Sequence, residues 1–284
     1  MKIITTIMKM QHYSDTIRQK NKKIGFVPTM GYLHNGHMSL IKKARQDCDI
    51  VIVSIFVNPT QFAQNEDLSK YPHNFESDNR LCENEKVDVI FYPTKEEMYP
   101  ATQLAWVNVH KITESLCGLS RPAHFQGVAT VVAKLFNIVK PDKAYFGQKD
   151  YQQSLVIRKL VHDLNFDTEI ITCPIVRDQD NVAMSSRNKY LTIEQRKQAP
   201  VLFQALEKAK WLIAQGELRQ GSIKTEIKKT IESMPLAKID YIEIRNAQNL
   251  EKIDILKGKV LIALAVYFGK TRLIDNKIFN ITQE

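Results

Sequence analysis

The densest set of groups able to do chemistry lies in FVPTMGYLHNGH, residues 26–37. Gly31 and Gly36 stand where a phosphate-binding loop places its glycines, after an apolar strand-like run and before a helix-like one. His37-Met38 replaces the Lys-Ser/Thr of a Walker A loop, so this is not that motif. The physics of a phosphate cradle survives the change. A glycine-bearing turn lets backbone N–H groups approach an anion, and a helix N-terminus adds partial positive charge. His34 and His37 fall three residues apart at that helix start. Their rings can donate N–H bonds to phosphate oxygens, and positive charge can gather on them as a transition state becomes more anionic. The plainer reading makes them two surface histidines that cap a turn; two of seven histidines at this spacing weigh against it. As a metal site the pair falls short, because zinc takes three or four protein ligands and no carboxylate or thiol adjoins them. No protein-held metal is expected.

Two further loops carry cations. Gly147-Gln148-Lys149-Asp150 follows a short apolar run and opens a helix-like stretch. Lys149 can meet a phosphate as a point charge, and Asp150 can cap the helix or hold a ribose hydroxyl. Ala183-Met184-Ser185-Ser186-Arg187-Asn188 offers two hydroxyls and a guanidinium, a set able to clamp a polyphosphate. Each could also be an ordinary connector. Asn58, Gln61 and Gln153 are amides at or beyond strand ends, suited to a small hydroxy acid because they bind hydroxyl and carboxylate without fixing a proton. Residues 121–127, RPAHFQG, read equally as a mobile flap or a plain helix entry.

The elements that must hold these residues alternate. Strand-like runs at 23–27 (ending before Pro28), 50–57, 87–92, 144–146 and 169–173 are separated by helix-like stretches at 38–45, 77–85, 128–139 and 151–164. Such alternation predicts an α/β fold with a Rossmann-like parallel sheet and right-handed crossovers, with ligands at the carboxyl ends of the strands. After about residue 190 the pattern changes to one long amphipathic segment, 193–215, then 222–232, then strands at 239–244, 260–268 and 271–274. We therefore expect a Rossmann-like nucleotide-binding domain over 1–175 and a smaller C-terminal α+β domain over 176–284.

Composition narrows the class. At 284 residues the chain allows roughly two domains, and 10 Gly with 10 Pro exclude a collagenous or low-complexity protein. A net charge of +9 invites a polyanionic partner, nucleic acid or a phosphorylated small molecule. The lysines are scattered, with no basic run of five and no RNP-like aromatic motif, so nucleic acid is disfavoured. The longest apolar runs, 50–57 and 260–268, fall far below the ~18 residues of a membrane span. The beginning, MKIITTIMKMQHYSD, carries charge within its apolar stretch and lacks a small-residue cleavage site, so a cytoplasmic enzyme is expected. Cys48, Cys82, Cys117 and Cys173 contain no CxxC pair and read as reduced, mostly buried thiols.

The order of motifs resembles one family. FVPTMGYLHNGH, SIFVNPTQF (54–62), DLSKYP (67–72), RPAHFQGV (121–128), KAYFGQKDYQQ (143–153) and VAMSSRN (182–188) are together similar to the pantoate–β-alanine ligases. DYIEIRN (240–246) and TRLIDN (271–276) look like that family's C-terminal domain. The resemblance implies activation of pantoate by ATP to pantoyl adenylate, releasing pyrophosphate, then displacement of AMP by the amine of β-alanine. It implies that Met30, Gly31, Tyr32, Leu33, His34, Asn35, Gly36 and His37 hold ATP together with Gly147, Gln148, Lys149, Asp150, Val176, Met184, Ser185, Ser186 and Arg187. His37, His34, Lys149 and Arg187 would act in catalysis, and Gln61, Gln153 and Asn58 would meet the substrate acid, Gln61 also facing β-alanine. Mg²⁺ on the phosphates, a homodimer joined through the N-terminal domain and a C-terminal domain closing over ATP belong to the same expectation. The family commonly has Glu, Gly, Gly and Arg where this sequence has Gln148, Ala123, Asn181 and His73. None of these removes a motif position. The rival within the superfamily is an adenylyltransferase with a nucleotide or phosphopantetheine acceptor, which calls for more cation in the acid pocket than Gln61 and Gln153 provide.

Overall fold

The structure is a computed structural model that describes residues 1–62, 68, 71–100 and 102–282. Of the DLSKYP stretch, Asp67, Ser69 and Lys70 lie outside the described residues. The chain divides into two units, Met1–Gln148 with Gln152–Pro174, and Lys149–Tyr151 with Ile175–Glu284.

In the first unit, strands β1 (Lys2–Ile4), β2 (Ile24–Thr29), β3 (Ile50–Ile55), β4 (Val89–Phe91), β5 (Lys143–Gly147) and β6 (Glu169–Cys173) form one parallel sheet in the order β1-β4-β3-β2-β5-β6. The connecting helices are α1 (Ile7–Gln19), α2 (Asn35–Asp47), α3 (Phe75–Asn84), α4 (Lys95–Met98), α5 (Cys117–Ser120), α6 (His124–Val139) and α7 (Tyr151–Asp163). β3, IVIVSI, is buried throughout. Ile50 and Ile52 enter one core with α1 and α6 residues, and Val51 and Val53 enter another with α2 residues. A strand covered on both faces needs an unbroken apolar run rather than an alternating one, which is what the sequence has there.

The order of strands reverses between β2 and β5, the place where an open α/β sheet leaves a crevice at its carboxyl edge. β2 pairs with β3 as far as Thr29↔Ile55 but with β5 only at Gly25↔Lys143 and Phe26↔Ala144. The strand was expected to end before Pro28; instead it runs through it. Thr29 points its carbonyl at β3, where it accepts from the Phe56 N–H at 3.0 Å. Pro28, one residue earlier, therefore faces β5 beyond the end of their pairing, so its missing N–H breaks no ladder.

β1 and α1 are additions to the sequence reading. β1 docks on β4 at the sheet edge, and α1 buries only Met10, Ser14 and Ile17, a stripe too thin to register as periodicity. In the second unit, β7 (Ala237–Asn246), β8 (Gly258–Phe268) and β9 (Thr271–Ile281) form an antiparallel sheet packed on α9 (Val201–Ala214) and α10 (Gln220–Glu232). The expected single segment 193–215 is broken at Pro200, which separates α8 (Ile193–Gln198) from α9. β9 runs past the expected end at 274 to Ile281, through buried Asp275 and Asn276. No helix is long and apolar enough to cross a membrane among the described residues.

None of the four cysteines is in a disulfide; Cys48, Cys82 and Cys173 are buried, and Cys117 is partly exposed. Burial raises all three buried thiols, Cys82 to about 12, which suppresses the reactive thiolate near neutrality. Alkylation of the native protein at pH 8 should thus modify Cys117 well ahead of the others. Mass spectrometry checks this, and equal labelling of Cys82 would contradict it.

Candidate active site

The loop after β2 is built by local hydrogen bonds and one distant carboxylate. The Thr29 hydroxyl donates to the Ser54 carbonyl at 2.8 Å and accepts from the Gly31 N–H at 3.1 Å. Gly31 and Tyr32 both have positive φ, 83° and 53°. The φ of Gly31 favours glycine, and a Cβ there would also sit tightly, 3.0 Å from both Asp78 Oδ2 and Ile55 Cγ2. Asp78, on α3, accepts the Tyr32 and Leu33 N–H groups at 2.8 and 2.7 Å. Its carboxyl is 2 % exposed; burial raises its pKa while those two donors pull it down. Nothing in the sequence marks Asp78, because it lies 46 residues beyond its first partner. Asp78→Asn turns an amide NH₂ toward one of two N–H groups. We expect a loss of about 1–3 kcal/mol in stability and a slower enzyme; a variant that melts and turns over like the wild type would refute that role.

His34 is the N-cap of α2 and His37 is the third helical residue. The Gly36 N–H donates to His34 Nδ1 at 3.1 Å, and the His34 N–H donates to His37 Nδ1 at 3.2 Å, a capping box made from two imidazoles. The ring centroids lie 4.1 Å apart. A ring that accepts at Nδ1 carries its proton on Nε2. Capping and anion binding are therefore compatible readings, since the cap engages only Nδ1 of each ring.

Gln61 ends the 3₁₀ turn Pro59–Gln61. Its amide nitrogen lies 2.9 Å from Met30 Sδ, which ties the turn to the His34–His37 loop. Asn58 is 1 % exposed, and its amide is engaged inside the protein. It donates to Gln61 Oε1 (3.3 Å) and the Gly127 carbonyl (3.1 Å), and it accepts from the Thr60 and Tyr99 hydroxyls. The Gln61 carbonyl accepts from Arg121 Nη2 at 3.3 Å and His124 Nδ1 at 3.0 Å. Residues 121–127 thus form a helix entry seated on this turn, and Ala123 has an ordinary φ of −87°. Gly127 lets α6 touch the turn; a Cβ there would lie 2.4 Å from the Thr60 carbonyl oxygen. Gln153 is half-buried in the first turn of α7. Gly147 ends β5, the neighbour of β2 across the strand-order reversal, and a Cβ on it would meet no protein atom within 4 Å. Gln148 follows in the turn that leads to α7.

The remaining candidates belong to the second unit. Lys149 Nζ lies 3.9 Å from Asp150 Oδ2. Residues 176–184 form a hairpin in which Arg177 bridges Ala183 and the Met184 N–H donates to the Val176 carbonyl at 2.9 Å. Asn181 takes φ 68° in its turn, a conformation that Asn tolerates nearly as Gly does. The hairpin delivers Ser185, whose hydroxyl accepts from the Arg187 N–H at 3.2 Å, and an exposed Arg187. Asn188 donates to the Ala183 carbonyl at 3.1 Å and closes the loop; Ser186 lies between these contacts.

Residues 2–278 match the family described as pantoate-beta-alanine ligase. The chain is 54% identical over 278 residues to pantothenate synthetase of Thermotoga petrophila, covering 98% of this chain and 99% of that one. It is 56% identical over 276 residues to the pantothenate synthetase of Caldicellulosiruptor bescii, covering 97% and 98%. Among solved structures, pantothenate synthetase from Thermus thermophilus superposes with a TM-score of 0.93 at 41% identity, covering 98% and 99%. The ligase from Francisella tularensis, complexed with beta-gamma ATP and beta-alanine, does so with 0.81 at 39%, covering 98% and 97%.

Proposed function

Because the chain belongs to the pantoate–β-alanine ligase family, we propose that it joins pantoate to β-alanine with ATP through a pantoyl-adenylate intermediate. The observation that carries this reading furthest is the imidazole capping box, which fixes two N–H donors at the start of α2, beside the reversal of strand order. In the first step a carboxylate oxygen of pantoate attacks the α-phosphorus and the bond to the β-phosphate breaks. Pyrophosphate leaves with the electron pair. Pantoate is already ionised at neutral pH, so the step needs alignment and charge neutralisation rather than a general base. His34 and His37 donate to phosphate oxygens, and Lys149 and Arg187 supply the cations. In the second step the neutral amine attacks the acyl carbon, AMP departs, and the nitrogen gives up a proton.

Gln61 and Gln153 hold the acid's hydroxyl and carboxylate, and Asn58 acts through Gln61. Magnesium would be held by the nucleotide rather than by a cage of protein side chains, and would supply charge neutralisation at the phosphates beside Lys149 and Arg187. A homodimer and a cytoplasmic location belong to the same reading. Sedimentation at twice the 32.7 kDa chain mass checks the first.

The deciding experiment is isotope exchange between pyrophosphate and Mg·ATP. Exchange should require pantoate and proceed without β-alanine, whose addition should release AMP and pantothenate. Exchange driven by a nucleotide or phosphopantetheine instead would make the protein a different adenylyltransferase.

A further inference from the structure

TRLIDN, at the start of β9, has so far been only a mark of family likeness. Within it Asp275 and Asn276 are 2% and 4% exposed, although they sit inside a strand. Buried groups of this kind persist only with partners, and both have them. Asp275 holds Arg177 in a two-pronged pair, Nη1–Oδ2 at 2.6 Å and Nη2–Oδ1 at 2.9 Å. Arg177 lies in the hairpin whose far arm continues into Met184–Arg187, so this pair anchors the Ser-Ser-Arg loop from below. Asn276 donates from Nδ2 to the backbone carbonyl of Lys149 at 2.9 Å. Tyr151, two residues on, donates its hydroxyl to the Ala247 carbonyl at 2.7 Å and fixes the same segment a second time. Neighbouring residues on a strand point to opposite faces, so β9 serves one loop from each side.

Packing alone accounts poorly for this dipeptide. A buried ion pair is often no more stabilising than apolar residues of the same size, and the flanking Leu273 belongs to the apolar core. We propose that Asp275 and Asn276 are positioning residues of the ligase reaction, one strand setting Lys149 and Arg187 at the spacing that the nucleotide's phosphates require. The proposal rests on the reading of those two loops given under the proposed function.

The wild type is measured first, and its pantoate-dependent pyrophosphate exchange tests that underlying reading separately. Asn276→Asp then keeps the shape and removes the donor. It should lower kcat/KM for ATP by roughly 10²-fold, the scale of a ~1 Å misplacement, with KM for pantoate within about twofold and a cooperative melt at a lower midpoint. Asn276→Ala, which adds no charge, carries the same expectation should the first variant fail to fold. If Asn276 acts through Lys149, the two losses must overlap. On a Lys149→Met background, Asn276→Asp should cost less than about threefold further. Full multiplication of the two losses, or equal rises in KM for ATP and pantoate, would overturn the proposal.

Discussion

His37→Gln is expected to slow pantoate activation by roughly 10²-fold or more, about 2.7 kcal/mol of transition-state stabilisation, while leaving the melting temperature close to wild type. The choice of Gln follows from the cap. Glutamine at the third helical position can reach back to the N-cap N–H as His37 does, so the start of α2 keeps its closure. What disappears is the rigidly held ring Nε2–H; the glutamine NH₂ is a donor on a flexible stem, displaced from that place. His37→Ala removes both closure and donor, and should add a stability loss of about 0.5–2 kcal/mol to the same kinetic defect. The pair of variants thereby separates the ring's structural task from its chemical one. Pyrophosphate exchange and a thermal melt on each are sufficient. A Gln variant that turns over normally removes the imidazole from the reaction.

The second large effect is expected at Gly127, a residue that touches no substrate in the proposed mechanism. An alanine there puts Cβ 2.4 Å from the Thr60 carbonyl oxygen and 2.7 Å from Gln61 Cα, both backbone atoms that cannot swing aside. α6 and the 58–61 turn must then separate, at a cost of about 1–3 kcal/mol. Gln61 moves with its turn, and Arg121 and His124 lose their seat on its carbonyl. KM for pantoate should rise by roughly tenfold or more while KM for ATP stays near normal. Steady-state kinetics decides, and an unchanged KM for pantoate would detach Gln61 from the acid pocket.

The parallel sheet was legible in the sequence because buried strands announce themselves as β-branched runs, as Ile50–Ile55 does. What stayed hidden depended on partners far along the chain. Asp78 is an unremarked helix acid until the fold brings the Tyr32 and Leu33 N–H groups to it. Asn58 reads as a candidate ligand contact until its amide is seen engaged by Gln61, Gly127, Thr60 and Tyr99. Asp275-Asn276 has the composition of a turn, so β9 was cut short at the two residues that its partners keep in the strand. Weak periodicity hid α1. The histidine spacing is legible, but not the capping box it forms, since sequence does not say which ring nitrogen a cap consumes.

Pro28 has a consequence for how the crevice stays apart. Among the twenty residues only an imino acid is barred by its own covalent structure from donating a hydrogen bond to a neighbouring strand. Placed on the β5-facing side of β2, just past the last pairing at Phe26, it acts as a stop against further zippering. The gap at the carboxyl edge is thus guarded at the level of a single ring closure, independent of how tightly the surrounding side chains pack.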